Sequence, residues 1–325
     1  MDGPNLTKPA LDDGASAWPE QLAVRIAWCY YALGLTQQEI AERLHITRVK
    51  VNRLLAEARR RGVVRITITS KLAENVELEE RLKTRFDLAD ARVVLGTDDE
   101  RDLAELLGRV GAEIYSDQIV EGQTIGIGWG ITLKAFATAM PEHPLTRACV
   151  VAMLGSLTRR SSIDAFEAAT QLAQKLHAEC FYMPGPLICD SKNTRQAFGA
   201  QPLMHEVFER AHCADLAIVS VGGVESGTIR QVGLIEDDQL KSVQNAGAVG
   251  NFLGHYIDGA AQIVDHPINK RVLGIRPDAL RDIERRVMIS GGAMKIPALR
   301  AILNAGLLTE IVTDQDSARS LLDDT

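Results

Sequence analysis

Short apolar runs rich in β-branched residues recur from about residue 90 onward and alternate with segments that have helical spacing. The runs are ARVVLG near residue 91, QTIGIGW near 123, ACVVAML near 148, ECFYMPG near 179, DLAIVSVGG near 215, RVLGI near 271, RVMISGG near 286 and TEIVTD near 309. Strands that alternate with helices predict parallel βαβ units with right-handed crossovers. Ligands of such sheets bind at the carboxyl ends of the strands, so the loops after these runs are candidate sites.

A compact basic segment precedes this α/β region. The chain of 325 residues has 36 Lys plus Arg and 43 Asp plus Glu, which gives a formal net charge of −7. From Arg43 to Arg65, eight basic residues accompany a single acidic one, Glu57, so this segment carries +7 and the rest of the chain −14. The overall charge argues against a general polyanion binder. The uneven distribution predicts one module that binds a polyanion and a second with another role, and the length suits about two domains.

The basic segment has the pattern of a helix-turn-helix. Apolar residues at helical spacing predict three helices, over residues 19–34, 37–44 and 48–61. Thr36 and Glu39 form a capping box, Thr47 is a good N-cap, and Gly34 and Gly62 are placed to end helices. Two helices joined by a turn of three to four residues place the second one in the major groove of DNA.

The third predicted helix turns a polar, basic face away from its apolar stripe. Arg can form two hydrogen bonds to guanine and Asn can do so to adenine, while Thr and Arg can contact the phosphate backbone. The candidate DNA-binding residues are Thr36, Gln37, Thr47, Arg48, Val49, Lys50, Asn52 and Arg53. The competing interpretation is a solvated charged helix in a helical bundle. Arg59 to Arg61 are more typical of a solvated helix end.

These patterns predict four parts of the chain. They are a disordered leader at 1–18, a helix-turn-helix DNA-binding domain at 19–70, a helical linker at 71–88 and an α/β domain at 89–325. The run VVRITIT at 63–69 alternates like a strand. The linker has an apolar stripe that includes Leu72, Val76, Leu82 and Phe86, which could also serve as an oligomer contact.

The segment LTQQEIAERLHITRVKVNRLLAEARRRGVVRI resembles the DNA-binding domain of the SorC family of bacterial sugar-responsive transcriptional regulators. The resemblance continues through GIGWGITL at 126–133, GAVGNFLGHYID at 247–258 and the segment 289–322. It implies a Rossmann-like domain, similar in fold to sugar-phosphate isomerases and glucosamine-6-phosphate deaminase, that binds an effector without turning it over. It also implies a repressor of a carbohydrate or polyol catabolic operon. Operator DNA with palindromic half-sites implies a homodimer or homotetramer.

Two loops that follow predicted strands are candidate effector sites. In GIGWG, Gly126, Gly128 and Gly130 would let backbone amides approach a phosphate or a polyol, and Trp129 and Thr132 lie in the same loop. A dinucleotide site competes with this interpretation, but the GxGxG spacing and the missing acidic ribose contact disfavour it. Glycines that only pack a helix against a strand are the second alternative.

The remaining effector candidates lie in the motifs that resemble the family. The loop at 290–295 holds Lys295, which the resemblance places at the effector site, where its ammonium could bind an anionic group. In GAVGNFLGHYID this sequence has Asn251 at a position that is usually acidic in the family, whereas Asp258 keeps the second acidic position. Because Asn can donate as well as accept hydrogen bonds, this departure favours a free or shorter polyol. Ser156 follows another predicted strand and completes the set.

Several other classes are disfavoured by the sequence. The five cysteines form no CxxC pair, no histidines have HxxxH spacing, and no GxSxG motif occurs, so we expect no metal, no cofactor and no nucleophilic catalysis. No apolar run is long enough to span a membrane, and no signal peptide is evident, so we expect a cytoplasmic protein.

Two alternatives to a regulator stay open. One is a sugar-phosphate isomerase or deaminase with an accessory DNA-binding segment, for which Asp258, Asp215 and Glu225 are candidate acid and base groups. The other is an oligomerising scaffold that binds no small molecule.

Overall fold

The computed structural model describes residues 18–64, 73–157 and 165–323. The chain divides into two compact units, Met1–Ser70 and Lys71–Thr325. No helix within the described residues is long and apolar enough to cross a membrane.

The first unit contains the three predicted helices, α1 (Trp18–Tyr31), α2 (Gln37–Arg43) and α3 (Arg48–Arg60). Both predicted caps form: the Thr36 hydroxyl accepts from Glu39 N while the Glu39 carboxylate accepts from Thr36 N, and the Thr47 hydroxyl accepts from Lys50 N. Ile26, Ile40 and Val51, one from each helix, are fully buried together. The helix-turn-helix is therefore held by a small core of its own.

Each helix of the first unit is followed by a residue with a positive φ angle. Gly34 and Gly62 have φ angles of 67° and 73°, which glycine adopts without strain. His45 in the turn between α2 and α3 has a φ of 52°, a conformation that is uncommon outside glycine but enriched in His. The predicted leader, apart from Trp18, and residues 65–69 of the predicted strand VVRITIT lie outside the described residues.

The second unit is built on parallel strands. Its strands are β1 (Asp90–Val94), β2 (Thr124–Ile127), β3 (Cys149–Ser156), β4 (Glu179–Pro186), β5 (Leu216–Val219), β6 (Val221–Gly223), β7 (Gly250–Phe252), β8 (His255–Ile257), β9 (Arg285–Ile289) and β10 (Glu310–Asp314). Within the described residues, seven of them form one parallel sheet in the order β1-β10-β9-β5-β2-β3-β4. The antiparallel strands β6, β7 and β8 form a small second sheet.

Helices cover both faces of the large sheet, which explains why strands such as β3 and β5 are almost entirely apolar. The helices are α4 (Ala73–Phe86), α5 (Glu100–Tyr115), α6 (Ile131–Ala139), α7 (Ala165–Leu176), α8 (Lys192–Gly199), α9 (Pro202–His212), α10 (Thr228–Gln231), α11 (Asp237–Asn245), α12 (Ile296–Asn304) and α13 (Gln315–Leu322). Apolar side chains of α5, α6 and α7 share one core cluster with the strands, and those of α4, α9, α12 and α13 share the other.

Two parts of this unit differ from the sequence prediction. The prediction of a strand at RVLGI was wrong: these residues make only isolated antiparallel bridges, Val272 to Ile188 and Gly274 to Leu154. The residues of this run are apolar because they are buried against the ends of β3 and β4, although they lie outside the parallel sheet. The hairpin of β7 and β8, in the family-like motif at 247–258, was not predicted as strands.

The segment predicted as a linker, 71–88, contains α4. This helix contacts β1 and α13 within the second unit, and Leu82 and Phe86 are buried there. Glu74 of α4 accepts hydrogen bonds from Arg319 of α13. Val76, which was predicted to share the apolar stripe, is 55% exposed.

Candidate DNA interface and ligand cavity

Helix α3 presents a continuous polar and cationic surface. Its apolar side chains Val51, Leu54 and Leu55 are buried, so the intervening positions face solvent. The predicted contacts Arg48, Val49, Lys50, Asn52 and Arg53 are all exposed, and 80% of the Val49 side chain is accessible. An exposed Val among basic residues is suited to contact with the methyl group of thymine.

The other predicted DNA contacts lie at helix starts. Thr47 caps α3 and Thr36 caps α2, so both hydroxyls already accept a backbone hydrogen bond. Gln37 is the first residue of α2 and is half-buried. The start of a helix carries a partial positive charge that favours phosphate, and helix starts are among the groups that contact the DNA backbone in protein–DNA complexes.

A cavity of about 300 Å³ opens at the carboxyl ends of the parallel strands in the second unit. It lies beside the loops that follow β2 and β5, where the chain reverses its direction across the sheet. Ligands of open α/β sheets bind at such a switch point. We call this space the switch-point cavity.

The structure brings five of the nine predicted effector residues to the wall of the switch-point cavity. They are Trp129, Gly130, Thr132, Asn251 and Lys295. Gly130 has a φ of 110° and is the N-cap residue of α6, and as a glycine it has no side chain with which to cap the first amides of that helix. These amides can donate to a phosphate or a hydroxyl group.

The other four predicted effector residues lie elsewhere. A Cβ atom on Gly126 would lie 3.0 Å from Met153 Cε and one on Gly128 would lie 3.1 Å from Leu133 Cδ1, so both glycines provide packing space. Ser156 ends β3 and lines a separate depression near Pro186. The Asp258 carboxylate accepts hydrogen bonds from two backbone amides in its own turn.

Two residues that line the cavity each have a buried polar atom without a hydrogen-bond partner among the described residues. Within the described residues, Asn251 Nδ2 and Ser226 Oγ are buried and form no hydrogen bond. Asn251 is only 6% exposed, and it lies on β7 opposite Gly222 of β6. An unsatisfied buried polar group costs about 1–3 kcal/mol, so a bound ligand that supplies partners here would recover that free energy.

Lys295 supplies a cation at the same wall. Burial lowers the pKa of its ammonium, while the nearby carboxylates of Glu100 and Asp314 act in the opposite direction. No salt bridge joins Lys295 to a carboxylate among the described residues, which leaves its hydrogen-bond donors available to a ligand. A partly desolvated ammonium interacts more strongly with an anion than an exposed one does.

Asp314, at the end of β10, fixes the loop that carries Lys295. Its carboxylate accepts hydrogen bonds from Gly292 N at 3.1 Å and from Ser317 N at 2.9 Å. Gly292 has a φ of 99°, so the chain turns sharply there before the short helix that ends at Lys295. The position of the ammonium therefore depends on a carboxylate that sequence analysis did not select.

Sequence analysis also missed two other parts of the wall. One is the start of α5, where Asp99, Glu100 and Arg101 line the cavity. The other is the loop that leads from β6 into α10, including Ser226 and Thr228. The loop after β1 could have been found, because β1 was predicted and ligands bind after strands.

Comparison with known proteins assigns both units. The family model described as "Putative sugar-binding domain" matches residues 70–323, and the model "Crp-like helix-turn-helix domain" matches residues 21–77. The "Erythritol catabolism regulatory protein EryD" of Brucella abortus is 31% identical over 306 residues, which cover 93% of this chain and 96% of that protein. The chain belongs to the SorC family of sugar-binding transcriptional regulators.

A further relative and a solved structure are also similar to this chain over most of its length. The "Deoxyribonucleoside regulator" of Bacillus subtilis is 28% identical over 312 residues, 94% of this chain and 98% of that protein. The crystal structure of the full-length sorbitol operon regulator SorC from Klebsiella pneumoniae matches with a TM-score of 0.71 and 24% identity. It covers 93% of this chain and 99% of that one. The predicted fold class, a helix-turn-helix domain followed by an α/β domain, is confirmed.

As a SorC-family member, the protein is a transcriptional regulator with a DNA-binding helix-turn-helix and a sugar-binding domain. The functional class predicted from the sequence is therefore confirmed at this level.

Proposed function

We propose that this protein represses a carbohydrate or polyol catabolic operon and is controlled by a sugar, polyol or sugar phosphate in the switch-point cavity. The observation that carries the proposal is the cavity wall, which Asn251, Ser226 and Lys295 line together and where Asn251 Nδ2 and Ser226 Oγ form no hydrogen bond to any described residue. Hydroxyl groups of a polyol can satisfy these two atoms. The effector regulates by binding one conformation of the regulator more tightly than the other.

Operator DNA is the proposed partner of α3. Arg48, Lys50, Asn52 and Arg53 would reach base edges and phosphates, with Val49 against a thymine methyl group. Thr36, Gln37 and Thr47 would contact the DNA backbone at the helix starts. Palindromic half-sites would pair with a homodimer or homotetramer, and the site of action would be the cytoplasm.

The similar proteins narrow the class of effector. Names of regulators similar to this chain refer to erythritol catabolism, to deoxyribonucleosides and to the sorbitol operon. A cavity of about 300 Å³ is at the lower limit for small-molecule sites, so a short polyol or its phosphate fits better than a larger sugar. Trp129, Gly130, Thr132, Asn251 and Lys295 would contact it.

Catalysis is not part of this proposal. Asp215 lies at the amino ends of the strands, where its carboxylate accepts from Thr124 N at 2.8 Å. Glu225 accepts from the Gln244 side chain, and the Asp258 carboxylate is used in its own turn. None of these three carboxylates lines the switch-point cavity, so none of them is placed there for general acid–base catalysis. Consumption of a sugar phosphate in a turnover assay would contradict this view.

Fluorescence anisotropy of DNA from upstream of the gene tests the proposal directly. We expect the logarithm of the DNA-binding constant to fall linearly with the logarithm of the salt concentration, with a slope of about −0.9 per phosphate contacted. Titration with free polyols and the matching phosphates should show one compound that releases the DNA. Tighter binding of the DNA in the presence of a compound would instead contradict release of the operator as the mode of control. Absence of DNA binding here and in a genomic selection would contradict the regulator function.

Asn251 tests which effector class binds. The Asn251→Asp variant keeps an acceptor, loses the donor and adds a negative charge at a buried position. We expect it to weaken a phosphorylated effector by at least about tenfold, because the charges repel. A free polyol that can donate a hydroxyl to Asp should lose much less. If the Asn251→Asp variant had unchanged affinity for every compound, Asn251 would not belong to the effector site.

A further inference from the structure

A second cavity in the sugar-binding unit is surrounded by cationic side chains. It has a volume of about 400 Å³ and lies between α8, strand β8 and the segment 263–276. The cations at its wall are Lys192, Arg195, Lys270 and Arg276, whereas Asp265 is the one lining carboxylate among the described residues. We call it the β8 cavity. Its positive charge contrasts with the net charge of −7 of the whole chain, so an anion is attracted to this place specifically.

The cations divide into two pairs by their partners. Lys270 pairs with Asp265 and Arg276 pairs with Asp278, but both salt bridges are exposed and such pairs contribute little. Among the described residues, neither Lys192 nor Arg195 forms a salt bridge. The β8 cavity therefore has more positive charge than its own carboxylates neutralise.

Arg195 is held in place by the protein. Its Nε atom donates to the carbonyl oxygen of Val272 at 3.2 Å, and that residue also lines the β8 cavity. This bond leaves the two terminal nitrogens of the guanidinium for another acceptor. An oriented guanidinium binds phosphate with two parallel hydrogen bonds and loses little side-chain entropy in doing so.

His255 adds a buried acceptor to this cationic wall. The residue is 3% exposed, and its Nδ1 atom lies 3.0 Å from the carbonyl oxygen of Leu253. Because a carbonyl can only accept, Nδ1 carries the proton and Nε2 is the acceptor of the neutral ring. The pKa of His255 is lowered to about 4, mainly by burial and also by the charges of Arg276 and Arg195, whereas the Leu253 hydrogen bond and the Asp278 carboxylate act in the opposite direction.

We propose that the β8 cavity binds a small hydroxylated anion of the phosphate monoester class. Arg195, Lys192 and Arg276 would hold the phosphate, and a hydroxyl group of the ligand would donate to His255 Nε2. The cavity volume suits a phosphate with a few carbon atoms. This site is separate from the switch-point cavity and does not depend on the function proposed for that cavity.

The hairpin gives the β8 cavity a physical connection to the switch-point cavity. Asn251 of β7 lines one cavity and His255 of β8 lines the other. Only Phe252 and the two-residue turn Leu253–Gly254 lie between these two residues in the hairpin. An anion bound at His255 therefore contacts the same structural element as the effector.

Isothermal titration calorimetry on the full chain tests the proposed site with glycerol 3-phosphate, inorganic phosphate and glycerol at constant ionic strength. We expect glycerol 3-phosphate to bind and glycerol not to bind. The double variant Lys192→Gln/Arg276→Gln should bind glycerol 3-phosphate at least about tenfold more weakly, because it loses two charge-assisted contacts. Both side chains are exposed, so this variant should fold normally.

Two control variants distinguish the possible outcomes. Lys295→Gln removes the ammonium of the switch-point cavity and should leave binding at the β8 cavity intact. Lys175→Gln, on α7 and outside both cavities, measures the effect of lost charge alone. Binding that survives Lys192→Gln/Arg276→Gln and disappears in Lys295→Gln would overturn the proposal. Equal affinity for inorganic phosphate and glycerol 3-phosphate would overturn the hydroxyl contact with His255.

Discussion

The surface of α3 and the switch-point cavity are assembled from the chain in opposite ways. The proposed DNA contacts on α3 come from one continuous segment, 48–53, in which every side chain except that of the buried Val51 is exposed. The cavity wall comes from the loops after β1, β2, β5, β6 and β9 and from β6 and β7, most of which are far apart in sequence. A surface that one helix defines can be predicted locally, whereas a cavity depends on topology.

Local signals explain how well the first unit was predicted. Thr36, Glu39 and Thr47 occupy cap positions that a sequence displays directly, and α3 ends one residue before its predicted limit of 61. The cavity was predicted only in part. Asn251 and Lys295 were found through the family-like motifs, but Ser226 has no local signal that marks it as a neighbour of those residues.

Arg53→Ala should have the largest effect on operator affinity and almost none on effector affinity. Loss of one base or phosphate contact costs about 1–3 kcal/mol, or 5- to 150-fold in operator affinity, and a dimer loses it at both half-sites. Anisotropy titrations with operator DNA measure this change. Arg59→Ala, an exposed cation near the end of the same helix, is the matched control. Equal losses for both variants would mean that α3 acts through overall charge alone.

Lys295→Gln should weaken effector binding and leave operator binding unchanged. Removal of a charge-assisted hydrogen bond costs about 1.5–3 kcal/mol, so the affinity for an anionic effector should fall about ten- to a hundredfold. Affinity for the operator in the absence of effector should stay at the wild-type value. Calorimetry with the effector and anisotropy with DNA measure the two quantities on the same preparation. A large loss of DNA affinity would show that the two surfaces are not separable.

Gly291→Ala tests whether packing behind the cavity positions Lys295. A Cβ atom at Gly291 would lie 2.1 Å from Asp314 Oδ2 and 3.1 Å from Leu107 Cδ1, so Asp314 must move. Such overpacking costs about 1–3 kcal/mol, and thermal unfolding of the second unit should shift accordingly. Gly259→Ala is the control, because open space surrounds Gly259. An unchanged unfolding midpoint together with normal effector affinity would contradict the role assigned to Asp314.

We expect the smallest effect at Thr36, a residue that caps α2 and is also a proposed DNA contact. Thr36 is a proposed DNA contact, yet its hydroxyl and amide both bond to Glu39 in the capping box. Thr36→Ala should lower the stability of the first unit by about 1 kcal/mol, whereas Thr36→Ser keeps the cap and should cost less. Hydrogen bonds from the Thr36 amide and hydroxyl lower the pKa of Glu39. The cap therefore contributes fully above the ordinary pKa of Glu and is lost as pH falls through the lowered one.

Parallel measurements of thermal unfolding and operator binding separate the two roles of Thr36. If the hydroxyl only caps α2, Thr36→Ala should weaken operator binding no more than its loss of stability explains, and Thr36→Ser should bind DNA normally. Operator affinity that falls about tenfold or more in Thr36→Ala, with the unfolding midpoint nearly unchanged, would instead assign the hydroxyl a direct phosphate contact. The same hydroxyl would then serve fold and function at once. In that case the short segment 36–53 would hold the complete DNA interface predicted from the sequence.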